Sequence, residues 1–223
     1  AMGSALLSRL KLANVTALAF DIAPAALQAA RNEGAETVSS AKAVAQACTM
    51  IDVVVRTDQE VLQCVLGNDG VLEGAAPGSL VLLHSTIRPA TTKKVAEAAA
   101  DKRVNVIDAC MTAVPSVVRQ GGLTFLVGGQ KAFFERAKPH LLKMAKDAVH
   151  MGPLGCGKTR LAMRLAETLP GAAFVALDRL ADDGAAARAL LDADAGLKAR
   201  VDQVVAWLVE DGAVSSPALV ALL

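Results

Sequence analysis

Short apolar runs alternate along the chain with longer stretches rich in Ala, Leu and Val. Val15 to Phe20, "VTALAF", is an apolar run with polar borders, which predicts a strand. Pro24 then opens "PAALQAARNEG", whose Ala and Leu content predicts a helix with Gly34 as its stop signal. The step repeats as "AETV" with "AKAVAQAC", "MIDVVVR" with "QEVLQCVL", and "GSLVLLHS" with "ATTKKVAEAAADK", followed by "VNVIDAC" as a further strand. "GLTFLVGG" adds a strand, "QKAFFERAKPHLLKMAKD" a helix and "AVHM" a last short strand. Short apolar runs without alternation belong to a parallel sheet covered on both faces. The expected fold class through Met151 is therefore α/β, a Rossmann-like doubly wound parallel sheet. Residues 152–223 are expected to form a separate segment, strand and helix first and then a mainly helical tail.

Composition narrows the function classes. The 223 residues suffice for one or two domains. With 53% hydrophobic and 20% charged residues, the composition is that of an ordinary globular protein. No apolar run reaches the roughly 18 residues that a membrane span needs, and no signal peptide is recognisable. The reading predicts a cytoplasmic protein without a membrane partner. A net charge of +1 and an aromatic content of 3% argue against nucleic acid and for small-molecule partners. Cys48, Cys64, Cys110 and Cys156 are scattered without a Cys-x-x-Cys pair, so buried thiols are expected and no metal site.

Candidate chemistry begins at Asp21, which ends the "VTALAF" run. An acid at the end of the second strand of a dinucleotide fold accepts from the adenosine ribose hydroxyls and favours NAD over NADP; an acid in that place also serves as a helix cap. Met2 and Gly3 read as the tail of Gly-x-Gly-x-x-Gly, with Asp21 at about the 20-residue spacing of that fingerprint. A second stretch, "GPLGCGKTRLAMRL" (Gly152 to Leu165), is ambiguous. As Gly-x2-Gly-x-Gly it closes a cofactor domain. As Gly-x4-Gly-Lys-Thr it is a P-loop, in which Gly155 and Gly157 shape the phosphate cradle, Lys158 reaches the β and γ phosphates, and Thr159 ligates Mg²⁺ of ATP.

Six features in order resemble the β-hydroxyacid dehydrogenase family, which includes 3-hydroxyisobutyrate dehydrogenase and relatives of 6-phosphogluconate dehydrogenase. They are Met2–Gly3, Asp21, "STIRP" (Ser85 to Pro89), "DACMTAVP" (Asp108 to Pro115), "GGLTFLVGG" (Gly121 to Gly129) and "HMGPLG" (His150 to Gly155). The resemblance covers residues 1 to about 157. It implies an NAD-binding domain in which Gly3 lets a helix N-terminus approach the pyrophosphate, Asp21 takes the ribose, Arg56, Thr57 and Asp58 lie along the cofactor, and Thr86 sits by its nicotinamide half. The small-molecule substrate implied is a hydroxy acid.

The chain also departs from the pattern. The first strand and first two glycines of the fingerprint are not found, so the sheet is expected to lack its central strand. Open strand edges of that kind favour association, hence a homo-oligomer is considered. In the substrate motif only Thr112 retains a hydroxyl. The family's catalytic Lys and Asn positions fall on Leu161 and Leu165, which implies a cofactor domain that is incomplete or catalytically impaired. Two alternatives stay open: a P-loop ATP-binding or kinase-like protein, and a binding or assembly module without catalysis.

Overall fold

Helix α1 (Met2–Leu12) buries Ala5, Leu6 and Leu10 against the core. The computed structural model describes residues 2–155. After α1, β1 (Leu18–Ala19) and β2 (Glu36–Thr37) pair in parallel, joined by α2 (Pro24–Asn32). Gly34 at φ 86° supplies the left-handed turn that ends α2. Then follow α3 (Ala41–Ala47), β3 (Met50–Val53), α4 (Asp58–Leu66), α5 (Val71–Gly74), β4 (Leu80–Leu83), α6 (Pro89–Asp101), β5 (Asn105–Met111), α7 (Pro115–Arg119), β6 (Thr124–Gly128), α8 (Lys131–Met144) and β7 (Asp147–Gly152). Strands β3 to β7 lie in chain order in one five-stranded sheet.

All four side chains of β4 are buried, and they alternate between two cores. Leu80 and Leu82 pack with α1 and α8 residues such as Leu6, Leu10, Phe134 and Leu141. Val81 and Leu83 pack on the opposite face with Ala45, Val61, Val65 and Val95 from α3, α4 and α6. A strand buried on both faces has no polar side to present, which is why "LVLL" shows no alternation. Each such side chain contributes about 1.5–3 kcal/mol on burial.

The parallel expectation needs one correction: β6 runs antiparallel to β5, with Asp108 opposite Gly128 and Met111 opposite Phe125. The link between them carries only the five-residue α7. At 1.5 Å per residue such a helix spans about 8 Å, whereas return along β5 requires about 23 Å. The chain turns back instead of crossing over. β1 to β4 and β6 are also shorter than their apolar runs, whereas β7 extends beyond "AVHM" at both ends. β1 comprises only Leu18 and Ala19 because its ladder has one partner, β2, through Glu36 N to Ala17 O at 2.9 Å and Val38 N to Ala19 O at 3.1 Å. Among the described residues the β1–β2 sheet and the five-stranded sheet share no ladder. They are joined through helices, where Arg119 of α7 donates to Glu33 at the end of α2 and to Ser4 of α1, both at 2.8 Å.

Candidate functional site

The carboxyl end of β1 presents Asp21 to solvent. One carboxylate oxygen accepts the Ala23 amide at 2.8 Å, an Asx turn just ahead of α2. The N-cap of α2 is Ala23 without a side-chain bond, so Asp21 does not cap the helix, and among the described residues its second oxygen accepts no hydrogen bond. Cys64 of α4 has its thiol pushed up to about 11, by burial first and by the Asp21 charge second, so the end of β1 lies near α4. At the start of α1, Met2 packs against the core. Gly3 has open space around it, since a Cβ there would meet nothing within 4 Å. No packing contact among the described residues calls for a glycine at this position.

The carboxyl ends of β3 and β4 are stitched together. The Ser85 hydroxyl donates to Val55 O at 2.6 Å and lies 3.3 Å from the Val55 amide. Asp58, at the start of α4, accepts from the Thr91 hydroxyl and from the Arg88 amide at 3.1 Å. Burial pushes the Asp58 carboxyl up, but the bonds from Thr91 and Arg88 outweigh it and hold it below the usual range. Ser85 thus braces two strand ends and does not cap α6, whose N-cap is Arg88 without a side-chain bond. Thr57 caps α4 by accepting the Glu60 amide at 3.1 Å, and Arg56 pairs with Glu60 at 3.1 Å. Thr86 is exposed on the braced turn. The structure brings Arg56, Thr57 and Thr86 onto adjacent loops.

Thr112 stands beyond the end of β5, its hydroxyl donating to Thr124 O at 2.9 Å. Deeper in β5, the buried Asp108 carboxylate accepts the Gly155 amide at 2.8 Å. Burial raises its carboxyl, and the Gly155 bond opposes this only in part. Gly128 faces Asp108 across the ladder, and a Cβ there would lie 2.8 Å from Pro153 O and closer still to the Asp108 carboxylate. Gly155, at φ 79°, sits against Pro89 of the STIRP turn. Gly157, Lys158, Thr159, Leu161 and Leu165 lie outside the described residues. The P-loop assignment of Gly155 gains nothing from this geometry, because its amide is already taken by Asp108. No group of three or more His, Cys, Asp or Glu among the described residues is arranged to hold a metal ion, and no described helix is long and apolar enough to cross a membrane.

The family described as the NAD binding domain of 6-phosphogluconate dehydrogenase matches residues 1–152. The 3-hydroxyisobutyrate dehydrogenase of Pseudomonas aeruginosa is 34% identical over 157 residues, 70% of this chain and 53% of its own length. The NAD-dependent L-serine dehydrogenase of the same organism is 31% identical over 157 residues, again 70% and 53%. The chain thus spans about half the length of these curated relatives. Among solved structures, the 3-hydroxyisobutyrate dehydrogenase of Mycobacterium tuberculosis with L-serine superimposes with a TM-score of 0.68 at 28% identity, covering 74% of this chain and 57% of that one. With the match running from α1 through β7, the chain belongs to the family of NAD-binding domains found in 6-phosphogluconate dehydrogenase and the β-hydroxyacid dehydrogenases.

Proposed function

We propose that the chain binds a nicotinamide dinucleotide at the carboxyl ends of β1, β3 and β4, with NAD preferred to NADP, as the cofactor domain of a 3-hydroxyisobutyrate dehydrogenase-like oxidoreductase. The observation that carries the preference is Asp21: an exposed carboxylate with one oxygen fixed by the Ala23 amide and the other accepting no hydrogen bond among the described residues. That second oxygen suits a ribose hydroxyl, and the charge repels a 2′-phosphate. Gly3 leaves room at the start of α1 for the pyrophosphate. Arg56, Thr57 and Thr86 occupy the adjoining loops, and the Ser85 and Asp58 bonds keep those loops in one arrangement. NAD bound there would accept or donate a hydride.

By the family pattern Thr112 is the residual hydroxyl of the substrate side, and Leu161 and Leu165 stand where a Lys and an Asn serve proton transfer and substrate binding. A leucine exchanges no proton, so this reading has the chain hold the cofactor without appreciable turnover of 3-hydroxy acids. The loss of general acid–base help alone is worth about 10² to 10⁴ in rate. Under the same reading the cofactor domain ends near Met151, and the protein works in the cytoplasm.

Titration of NAD and NADP into the purified chain tests the proposal. NAD should bind more tightly, and Asp21→Ala should weaken NAD by about tenfold or more, as expected for bonds to a charged acceptor. Tighter binding of NADP, or an unchanged preference in Asp21→Ala, would overturn the Asp21 assignment.

A further inference from the structure

Beneath the turn that carries Ser85 and Thr86 lie three titratable side chains that cofactor binding does not use. Asp52 is on β3, His84 directly follows β4, and His140 is on α8. Asp52 Oδ1 is 2.7 Å from His84 Nε2, and Oδ2 is 2.7 Å from His140 Nε2. The His84 side chain is 0% exposed. Its second nitrogen, Nδ1, lies 2.8 Å from the Ala109 carbonyl of β5, and its ring packs on Phe125 of β6 at 5.0 Å.

Proton accounting decides the state of this cluster. A carbonyl oxygen has no hydrogen to give, so His84 Nδ1 donates. The contact between Nε2 and Asp52 needs a second proton, and the contact with His140 needs a third. Two neutral imidazoles and a carboxylate supply only two. The arrangement is complete only with one further proton, and without it a fully buried nitrogen lone pair faces an acceptor, an arrangement that costs stability. Although burial raises the Asp52 carboxyl, the bonds from His140 and His84 outweigh it and hold it below the usual range. Imidazole is the stronger base of the two group types, and of the two rings only His84 has an acceptor at both nitrogens, so the further proton belongs on the His84 ring.

We propose that His84 is a protonation-dependent latch: as an imidazolium it ties β3, β5 and α8 together under the Ser85–Pro89 turn, and loss of its proton loosens the end of β4 on which that turn is mounted. The titratable groups on the elements packed around it fit this assignment. On β3 and α8 they are Asp52 and His140, and the Cys48 thiol before β3 is pushed up by burial and by the Asp52 charge. Of the others, Asp108 on β5 is engaged with Gly155. His150 on β7 bonds Gly129 O at 2.8 Å, and Lys138 on α8 lies over the Phe134 ring. On α1, Arg9 lies against Gly121 and Lys11 against Gly34. β6 carries no titratable side chain. The latch stands on these contacts alone; its bearing on the cofactor rests on the binding reading above.

The test uses long-range ¹H–¹⁵N spectra of the imidazoles and amide exchange on the full ¹⁵N-labelled chain across the histidine range. Both ring nitrogens of His84 should appear protonated at the acid end. Loss of the second proton should coincide with a fall of about tenfold in protection of the His84 and Val55 amides, as for loss of one charge-assisted bond. In His84→Gln that protection should not vary with pH beyond intrinsic exchange. In His140→Asn, which leaves the His84–Asp52 bond in place, His84 should keep both protons. An unprotonated His84 nitrogen alongside a protected His84 amide would overturn the latch, as would the same pH dependence in His84→Gln. NAD affinity of the wild type should fall as the latch opens. An opened latch with unchanged NAD affinity would refute the link to the cofactor turn while leaving the latch itself in place.

Discussion

The buried Asp108 carboxylate of β5 accepts the amide of Gly155 at 2.8 Å, so the turn after β7 is moored to the middle of the sheet by a side chain from a distant strand. Removing the acceptor leaves a backbone donor without its partner. Asp108→Ala should lower stability by about 1–3 kcal/mol, and Asp108→Asn, which keeps an acceptor, by less. Denaturant unfolding of both variants measures the difference, and equal losses would show that the Gly155 bond is not what matters.

Gly128→Ala should be costly for the same reason. Its Cβ would press on the Asp108 carboxylate and lie 2.8 Å from Pro153 O, which is backbone and cannot swing aside. Overpacking of this kind costs about 1–3 kcal/mol. A variant as stable as the wild type would mean that β6 and the Pro153 turn separate freely.

Asp52 and Asp108 should affect stability with opposite signs of pH dependence. The Asp52 carboxyl is lower in the folded chain than when unfolded. Its contribution is therefore present above the ordinary carboxylate value of 3.8 and fades as pH falls below it. The Asp108 carboxyl is raised, so it favours the folded chain most when protonated and gives up stability as pH climbs from 3.8 through its folded value. Unfolding free energies over the acid range should lose less stability on acidification in Asp52→Asn than in the wild type, and more in Asp108→Asn. The same acid profile in all three chains would contradict both assignments.

Asp58→Ala should separate order from affinity. Its carboxylate gathers Thr91 and Arg88, but its side chain is 27% exposed, so the stability cost should be about 1 kcal/mol. NAD affinity should drop by about threefold to tenfold, because the braced turn must be re-ordered on binding. Calorimetric titration beside thermal unfolding shows whether affinity moves with the brace.

Lys158→Ala distinguishes the two readings of the Gly152–Leu165 stretch. NAD affinity should be unchanged. The unmodified chain should show no ATP–Mg²⁺ binding at millimolar concentration; binding that Lys158→Ala abolishes would instead support a working P-loop.

The sequence made local chemistry legible and left distant partnerships hidden. Asp21, the STIRP turn and the order of most strands and helices can be read because each rests on residues close together in the chain. The short helices α5 and α7 have too few residues to show a period, and nothing in "GLTFLVGG" announces that β6 runs backwards. Arg56 and Thr57 are recognisable as a strand end, but their pairing with Glu60 and capping of α4 appear only in the folded chain. The largest omissions are pairs that folding alone unites: His84 with Asp52 is 32 residues apart, Gly155 with Asp108 is 47, and His140 with Asp52 is 88. His84 and His140 each sit singly within apolar or helical stretches, where a lone histidine carries no visible partner.

The division of the strands into two ladders has a dynamic consequence. With no backbone bonds between β1–β2 and the larger sheet among the described residues, the fragment bearing Asp21 can open as a cooperative unit at lower free energy than the remainder, giving its amides the fastest exchange of any strand. A dinucleotide touching both parts would act as a fastener. Some of its intrinsic affinity would be spent on suppressing that breathing, and its clearest signature would be slower exchange at Leu18 to Thr37.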